Sequence, residues 1–191
     1  MPRGDDHTVI INSDNRIDAY DASTGELLWY VGPPTRVPVA SPIWANGVLY
    51  TSRGYRSGPY FAVRTGGSGD VNTSHVLWQH QTGAPYTSSL LYHDGLVYLA
   101  TENGVVSAVD AANGETVWKE RLGGYFSASP VAADGKIYLL NEEGEAFVLK
   151  AGRQFVQLSK TEFPERLMAS PIAANGRVFI RSDGRVYAFD S

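Results

Sequence analysis

The sequence predicts an all-β fold, a β-propeller built from four-stranded antiparallel blades. Three observations favour this fold class: a repeat of about 40 residues, short apolar segments separated by turn signals, and no segment with a convincing helical period. The composition agrees, because 20 Gly and 10 Pro in 191 residues indicate many turns, and 43% hydrophobic residues indicate a folded core. We expect three complete blades flanked by two partial ones.

Three independent series of markers define the repeat. Trp29, Trp78 and Trp118 are 49 and 40 residues apart, and a further 40 residues lead to Leu158. Turn dipeptides follow the same spacing, at Asn46-Gly47, Asp94-Gly95, Asp134-Gly135 and Asn175-Gly176. A third series consists of "ASP" at 40–42 and 169–171, "SASP" at 127–130 and "SSL" at 88–90.

Residues 127–160 illustrate one repeat unit. The segments "SPVAA", "KIYLL", "EAFVLK" and "QFVQLSK" have the length and apolar pattern of strands, and "DG", "NEEG" and "AGR" separate them. Four antiparallel strands every 40 to 45 residues are typical of a propeller blade.

Two near-identical nonapeptides, "DASTGELLW" (21–29) and "DAANGETVW" (110–118), mark the outer part of a blade. We interpret Asp21 and Asp110 as the ends of third strands, since Asp caps turns through its carboxylate. Gly25 and Gly114 then lie in tight turns that need positive φ. The tryptophans 29, 78 and 118 are expected to pack against the neighbouring blade. A calcium loop is disfavoured, because the element lacks the alternating oxygen ligands of such loops.

With the preceding residues included, "AYDASTGELLW" (19–29) and "AVDAANGETVW" (108–118) resemble the tryptophan-docking motif of the pyrroloquinoline-quinone (PQQ) repeat family. That family includes quinoprotein alcohol dehydrogenases, BamB-like outer-membrane assembly lipoproteins and propellers without a known cofactor. Residues 60–78 resemble a degenerate motif of PQQ-like propellers from planctomycete-type bacteria. The resemblance implies a closed ring of seven or eight blades, of which this chain resembles the C-terminal half.

The markers also predict how the blades divide a single propeller segment, 1–191. We expect complete blades at 41–80, 88–122 and 129–160, with partial blades at 7–31 and 169–190. The first partial blade is predicted to lack its first strand and the last its fourth. Because exposed blade edges favour association, the segment is expected to need further blades or a second copy to close the ring.

Composition and charge exclude several classes of function. The net charge of −4 and the lack of a basic run disfavour nucleic-acid binding. No apolar run reaches the length of a membrane span, and the start of the chain, "MPRGDDHTVII", does not resemble a signal peptide. The chain has no Cys, which removes disulfides, thiol catalysis and Cys-based metal sites.

Catalytic, cofactor and metal sites are not predicted. The resemblance to PQQ-dependent dehydrogenases implies an Asp base, a calcium ion and often a vicinal Cys pair, and this chain has no Cys. Glu102, Glu142 and Glu143 lie in loops without a matching motif and are expected to be solvated. His75 and His80 are five residues apart, so on one strand they would point to opposite faces rather than share a metal.

The inter-blade loops offer a candidate binding face. They present Tyr and Arg, the residue types enriched at binding hot spots, at nearly equivalent positions: Arg36, Tyr86, Tyr125 and Arg166. Eight extra residues between Gly47 and Trp78 are predicted to enlarge 52–60, which would add Arg53, Tyr55 and Arg56 to this face. The alternative is that the tyrosines only pack the seams between blades.

These observations favour a non-catalytic interaction or scaffold module that binds protein partners. The family resemblance implies a periplasmic, envelope-associated or secreted location, and for BamB-like proteins a role in outer-membrane protein assembly. The alternative is a degenerate fragment of a PQQ-dependent quinoprotein alcohol dehydrogenase.

Overall fold

The computed structural model describes residues 2–3, 6–55 and 57–190, and all of its regular elements are strands. They form five sheets, numbered here in chain order. Sheet 1 contains β1 (Pro2–Arg3), β2 (Asp6–Asn12), β3 (Ile17–Asp21), β4 (Leu27–Val31) and, along its edge, β8 (Gly69–Asp70). Sheet 2 contains β5 (Ile43–Ala45), β6 (Val48–Ser52), β7 (Tyr60–Arg64) and β9 (Val76–His80).

The remaining sheets repeat the pattern of sheet 2. Sheet 3 contains β10 (Leu91–His93), β11 (Leu96–Ala100), β12 (Val105–Asp110) and β13 (Thr116–Arg121). Sheet 4 contains β14 (Val131–Ala133), β15 (Lys136–Leu140), β16 (Glu145–Lys150) and β17 (Gln157–Glu162). Sheet 5 contains β18 (Ile172–Ala174), β19 (Arg177–Arg181) and β20 (Val186–Asp190). The predicted all-β propeller fold, as an open series of blades, is confirmed.

The predicted turn dipeptides join the first and second strands of sheets 2 to 5. The first residue of each turn has a left-handed backbone, with φ between 47° and 52° at Asn46, Asp94, Asp134 and Asn175. Asn and Asp tolerate this conformation, and a glycine follows at each turn, also at positive φ. These two-residue turns set the antiparallel register of the innermost hairpin in each blade, as in the pairing of Ala45 with Val48.

Sheet 1 differs from the prediction that its first strand is absent. The two-residue strand β1 pairs antiparallel with β2, with Pro2 opposite His7 and Arg3 opposite Asp6. Strand β2 has seven residues, against five in β6, β11 and β15, and its two additional residues, Asp6 and His7, are those that pair with β1. The spacing between turn glycines and tryptophans could not reveal this longer strand, because that spacing was taken from blades whose second strand has five residues.

The prediction that the extra residues of the second blade enlarge 52–60 is mostly wrong. The connection 53–59 has seven residues against four in 101–104, whereas the turn 65–75 has eleven against five in 111–115. Most of the insertion therefore lies at the opposite end of the blade. Within it, β8 pairs in parallel with β4, so the longer turn covers backbone groups on the free edge of sheet 1.

The hydrophobic core lies between consecutive sheets rather than in one central mass. Trp29 packs with Phe61 between sheets 1 and 2, Trp78 lies between sheets 2 and 3, and Trp118 packs with Phe147 between sheets 3 and 4. A fourth cluster joins sheets 4 and 5. The outer faces of the series are unpaired, and apolar residues are exposed at Ile11 in sheet 1 and Val186 in sheet 5.

A chain of serine contacts links the inner ends of four sheets. The backbone N–H of Ser41 donates to Ser89 Oγ at 3.0 Å, that of Ser89 to Ser129 Oγ at 2.9 Å, and that of Ser129 to Ser170 Oγ at 2.9 Å. These are the serines of the "ASP", "SSL" and "SASP" segments. The third series of sequence markers therefore corresponds to one repeated inter-blade hydrogen bond.

Candidate interaction surface

The docking-motif residues join each sheet to the next. Trp78 Nε1 donates to the carbonyl oxygen of Ala111 at 2.9 Å, and Trp118 Nε1 donates to that of Gly152 at 3.0 Å. Both acceptors lie in the turn that follows the third strand of the neighbouring sheet. Trp29 is buried among residues of sheets 1 and 2. These contacts are structural and involve the strand ends away from the inter-blade loops.

The two motif aspartates cap their own turns. Asp21 Oδ1 accepts hydrogen bonds from the backbone N–H groups of Ser23 and Thr24, at 2.8 and 2.9 Å. Together with the hydroxyl of Ser23, the leading cause, these donors lower the pKa of Asp21 to about 2. Asp110 also has a lowered pKa, chiefly through its hydrogen bond with Arg153 at 2.7 Å.

Three of the predicted tyrosines gather around one groove at the loop end of sheets 2 and 3. Tyr55, Tyr86 and Tyr125 line a cavity of about 660 Å³ between these sheets. The rings of Tyr55 and Tyr86 meet edge to face, with centroids 5.6 Å apart, and Tyr125 is 37% exposed. We call this cavity the inter-blade groove. Its volume is within the range of ordinary ligand pockets.

One wall of the inter-blade groove is a stacked pair of rings from sheet 2. Tyr60 and His80 lie parallel, with centroids 4.6 Å apart, and His80 Nε2 donates to the carbonyl oxygen of Gly114 at 2.7 Å. Burial raises the pKa of Tyr60 to about 12, so its hydroxyl stays protonated at neutral pH. The interpretation of His80 as a packing residue agrees with these contacts. His75 precedes β9, so the two histidines do not lie on one strand, the condition under which they were expected to point to opposite faces.

The opposite wall comes from sheet 3. Leu99, Ser107 and Lys119 form one cross-strand row, because Leu99 is opposite Ser107 and Ser107 is opposite Lys119. All three line the inter-blade groove. The groove therefore has an apolar floor at Leu99, a small polar side chain at Ser107 and an exposed cation at Lys119.

Carboxylates hold the tyrosine-bearing loops in place. Glu102 Oε1 accepts from the backbone N–H groups of Tyr86 and Thr87, at 2.6 and 2.8 Å, and Glu143 Oε2 accepts from that of Tyr125 at 2.8 Å. Glu143 is exposed, as expected, and Glu102 is half-buried, but the hydrogen bonds of both carboxylates to loop N–H groups were not predicted. Sequence analysis missed this role because each carboxylate caps a loop 15 to 18 residues away.

Arg53 does not belong to the exposed face. It is 1% exposed, and its guanidinium donates to Asn12 Oδ1 and to the carbonyl oxygens of Ser13, Asp14 and Pro33. Burial lowers its pKa to about 10. The predicted role of Arg53 in binding is corrected: the side chain joins sheet 2 to sheet 1, because its N–H groups donate to amide and carbonyl oxygens of sheet 1 and its flanking loops.

The other predicted arginines lie apart from the inter-blade groove. Arg36 lines a separate shallow pocket next to Asp14 and Thr35. Arg166 Nε pairs with Asp183 at 3.0 Å in sheet 5 and its flanking loops. Arg56 lies outside the described residues. The structure thus brings together the tyrosines of the predicted face but not Arg36, Arg53 and Arg166.

Within the described ranges, no group of three or more His, Asp or Glu side chains is close enough to hold a metal ion. In the same part of the chain, no helix is long and apolar enough to cross a membrane.

The chain matches the profile of one known protein family. The profile of the family described as outer membrane protein assembly factor BamB matches residues 67–161 and 103–191, two overlapping stretches that cover more than half of the sequence. The chain belongs to the BamB family. A comparison with curated protein sequences returns no match.

Solved propeller structures share the fold of this BamB-family chain. BamB from Moraxella catarrhalis has a TM-score of 0.73 at 17% identity, over 99% of this chain and 56% of its own. The computationally designed Ika8 protein gives 0.71 at 14% identity, over 97% and 58%. The chain therefore spans little more than half the length of these relatives.

A dehydrogenase shares the same blade architecture. The quinohemoprotein alcohol dehydrogenase ADHIIG from Pseudomonas putida HK5 gives a TM-score of 0.67 at 15% identity, over 81% of this chain and 30% of its own. At this identity the likeness concerns the fold alone.

Proposed function

We propose that this chain is part of a non-catalytic propeller scaffold that binds protein partners in the bacterial cell envelope, in the assembly of outer membrane proteins. The match of the BamB family profile across residues 67–191 carries the proposal. The loop face supports it, because Tyr55, Tyr86 and Tyr125 line the inter-blade groove and Glu102 and Glu143 hold the backbone of Tyr86 and Tyr125. Tyrosine offers a large contact area with little loss of side-chain entropy, as interaction surfaces require.

The proposed scaffold needs neither PQQ nor calcium. Association through the open faces of sheets 1 and 5 with further blades, or with a second copy, belongs to the same proposal. Exposed Ile11 and Val186 are the apolar side chains that such packing would cover.

Site-specific photo-crosslinking tests the protein-binding role. In the full-length protein and its native host, p-benzoylphenylalanine replaces Tyr125, which borders the groove, or Asn113, an exposed residue of a tight turn at the other end of sheet 3. We expect crosslinks from position 125 to an outer-membrane β-barrel protein or a component of its assembly machinery, and at least fivefold fewer from position 113. Equal labelling at both positions would overturn this surface as the recognition site.

A second candidate function is that of a degenerate quinoprotein alcohol dehydrogenase. Its support is the fold likeness to the Pseudomonas putida HK5 enzyme. Incubation of the full-length protein with PQQ, Ca²⁺, ethanol and an electron-accepting dye separates the two candidates. We expect no dye reduction above that of the heat-denatured protein, whereas PQQ-dependent reduction would establish the dehydrogenase.

A further inference from the structure

One position of the repeat faces the preceding sheet in sheets 2 to 5. It is the third-strand residue opposite the fourth residue of the second strand, where Thr51 pairs with Phe61 and Leu99 pairs with Ser107. The same position is Phe147 in sheet 4, opposite Leu139, and Tyr187 in sheet 5, opposite Ile180. An aromatic ring therefore stands at three of the four positions, and a serine at the other.

The aromatic rings fill the spaces between neighbouring sheets. Phe61 is 1% exposed, and its ring lies so close to Gly32 that a Cβ there would be 2.9 Å from Cζ. Phe147 is 2% exposed and packs against the Phe126 ring, with centroids 6.0 Å apart. Tyr187 meets the Phe163 ring at 4.9 Å, edge to face. Each ring occupies the seam between its own sheet and the sheet before it.

Between sheets 2 and 3 the corresponding residue is Ser107, whose small side chain does not fill the space between the sheets. The inter-blade groove of about 660 Å³ opens there, with Ser107 and Leu99 on one side and the stacked Tyr60–His80 pair on the other. Nothing in the backbone explains the difference, because β11 and β12 pair in the same register as β15 and β16. The missing ring is therefore a feature of the side chain at position 107.

We propose that the inter-blade groove binds an aromatic side chain of a protein partner, whose ring takes the place that Phe61, Phe147 and Tyr187 occupy in the other seams. The ring contacts Leu99 and packs on the Tyr60–His80 pair, an arrangement that aromatic rings favour. This inference rests on the proposed function, since it names the kind of group that the scaffold recognises.

The charge of Lys119 affects which partner residue can lie next to the aromatic residue in the groove. Lys119 lines the groove, is exposed, and forms no ion pair within the described residues. Glu102 also lines the groove and keeps its negative charge, but it lies at the tyrosine end, where its carboxylate accepts from the N–H groups of Tyr86 and Thr87. Next to Lys119, an acidic residue of the partner therefore fits better than a basic one.

A binding experiment on the full chain tests the aromatic site. The probes are N-acetyl-phenylalaninamide and N-acetyl-leucinamide, followed by the NMR signals of the His80 ring. We expect saturable shifts with the phenylalanine probe and at least threefold weaker binding of the leucine probe. Ser107→Phe fills the groove and should weaken binding at least tenfold, whereas Ser107→Ala keeps it open and should bind as the wild type does.

The fold of Ser107→Phe is checked by its thermal unfolding curve, and Ser107→Leu replaces it if it does not fold. Unchanged binding in the folded filling variant, or no shift of His80 in the wild type, overturns the proposal. A peptide with Phe next to Asp should bind at least threefold more tightly than one with Phe next to Lys, and Lys119→Ala should abolish that difference. Equal binding of the two peptides to the wild type overturns the acidic preference.

The outcomes separate this inference from the proposed function. Crosslinks from position 125 without any aromatic binding leave the scaffold role intact and remove the groove as the aromatic site. Aromatic binding that Ser107→Phe abolishes, without crosslinks to the outer-membrane assembly machinery, supports the groove and removes the proposed cellular role.

Discussion

The indole ring of Trp78 lies directly against Gly114. A Cβ atom at position 114 would be 2.7 to 2.9 Å from three atoms of that ring, and Gly114 also has a φ of 77°. The glycine of one blade and the tryptophan of the preceding blade are therefore parts of a single contact. At Gly25, the equivalent glycine of sheet 1, φ is 73° and no atom lies within 4 Å of the ideal Cβ position.

This pair of glycines yields the first prediction. Gly25→Ala should cost about 1 kcal/mol of unfolding free energy, from the left-handed backbone alone. Gly114→Ala should cost about 2 to 4 kcal/mol, because the methyl group also displaces Trp78. Urea unfolding of both variants measures the difference. Equal losses would show that the ring and the glycine do not depend on one another.

The serine chain predicts a second difference between equivalent positions. Ser89→Ala removes the acceptor of the Ser41 N–H and should cost about 1 kcal/mol. Ser41→Ala is the matched control, because the Ser41 hydroxyl has no hydrogen bond in the described part of the chain, and it should stay within about 0.5 kcal/mol of the wild type. Chemical denaturation gives both values. A control variant as unstable as Ser89→Ala would contradict the role of the inter-blade bond.

Arg53 carries the third prediction. Arg53→Met removes a buried side chain and leaves the partly buried carbonyl oxygens of Ser13 and Pro33 without their donor, so it should cost about 3 kcal/mol. Arg36→Met alters an exposed arginine of the same predicted face and should cost less than about 0.5 kcal/mol. Thermal unfolding distinguishes the two. A stable Arg53→Met variant that loses partner binding would restore Arg53 as a recognition residue.

The turn carboxylate of Asp21 predicts a dependence of stability on pH. Its pKa is lowered from 3.8 to about 2 by donors in the folded turn, so the unfolded chain binds the proton more tightly. The contribution is present above pH 3.8 and is lost as the pH falls towards 2. Asp21→Asn should flatten the fall in stability over this window. An NMR titration midpoint of the Asp21 carboxyl near 3.8 would refute the prediction.

Much of the fold could be read from local patterns. Trp78 and Trp118 marked the outer strands, because a large ring is needed at these positions to pack against the next sheet. Asn46 and Asp134 marked the inner turns, because these positions need a left-handed backbone. Such requirements are local to a hairpin and recur in each blade, so their spacing revealed the repeat. The same spacing gave wrong predictions for β1 and for the turn 65–75, because these segments differ in length from their equivalents in the other blades.

The candidate site was only partly predictable. The position of Tyr86 and Tyr125 in inter-blade loops followed from the strand order, and their role in binding stays a prediction. The burial of Arg53 and the capping by Glu102 were missed, since their partners belong to other strands or other sheets. No local pattern distinguishes an exposed arginine from one that bridges two blades.

The sequence by itself determined the all-β class, the blade repeat and the family motif, because strand period and turn chemistry act over a few neighbouring residues. Only the tertiary structure decided that three tyrosines share one groove, that Arg53 is internal and that Ser107 stands where other blades carry aromatic rings. Each of these depends on which side chains meet across a seam between sheets. That meeting is set by the packing of residues some 20 to 40 positions apart, through contacts that a repeat pattern does not encode.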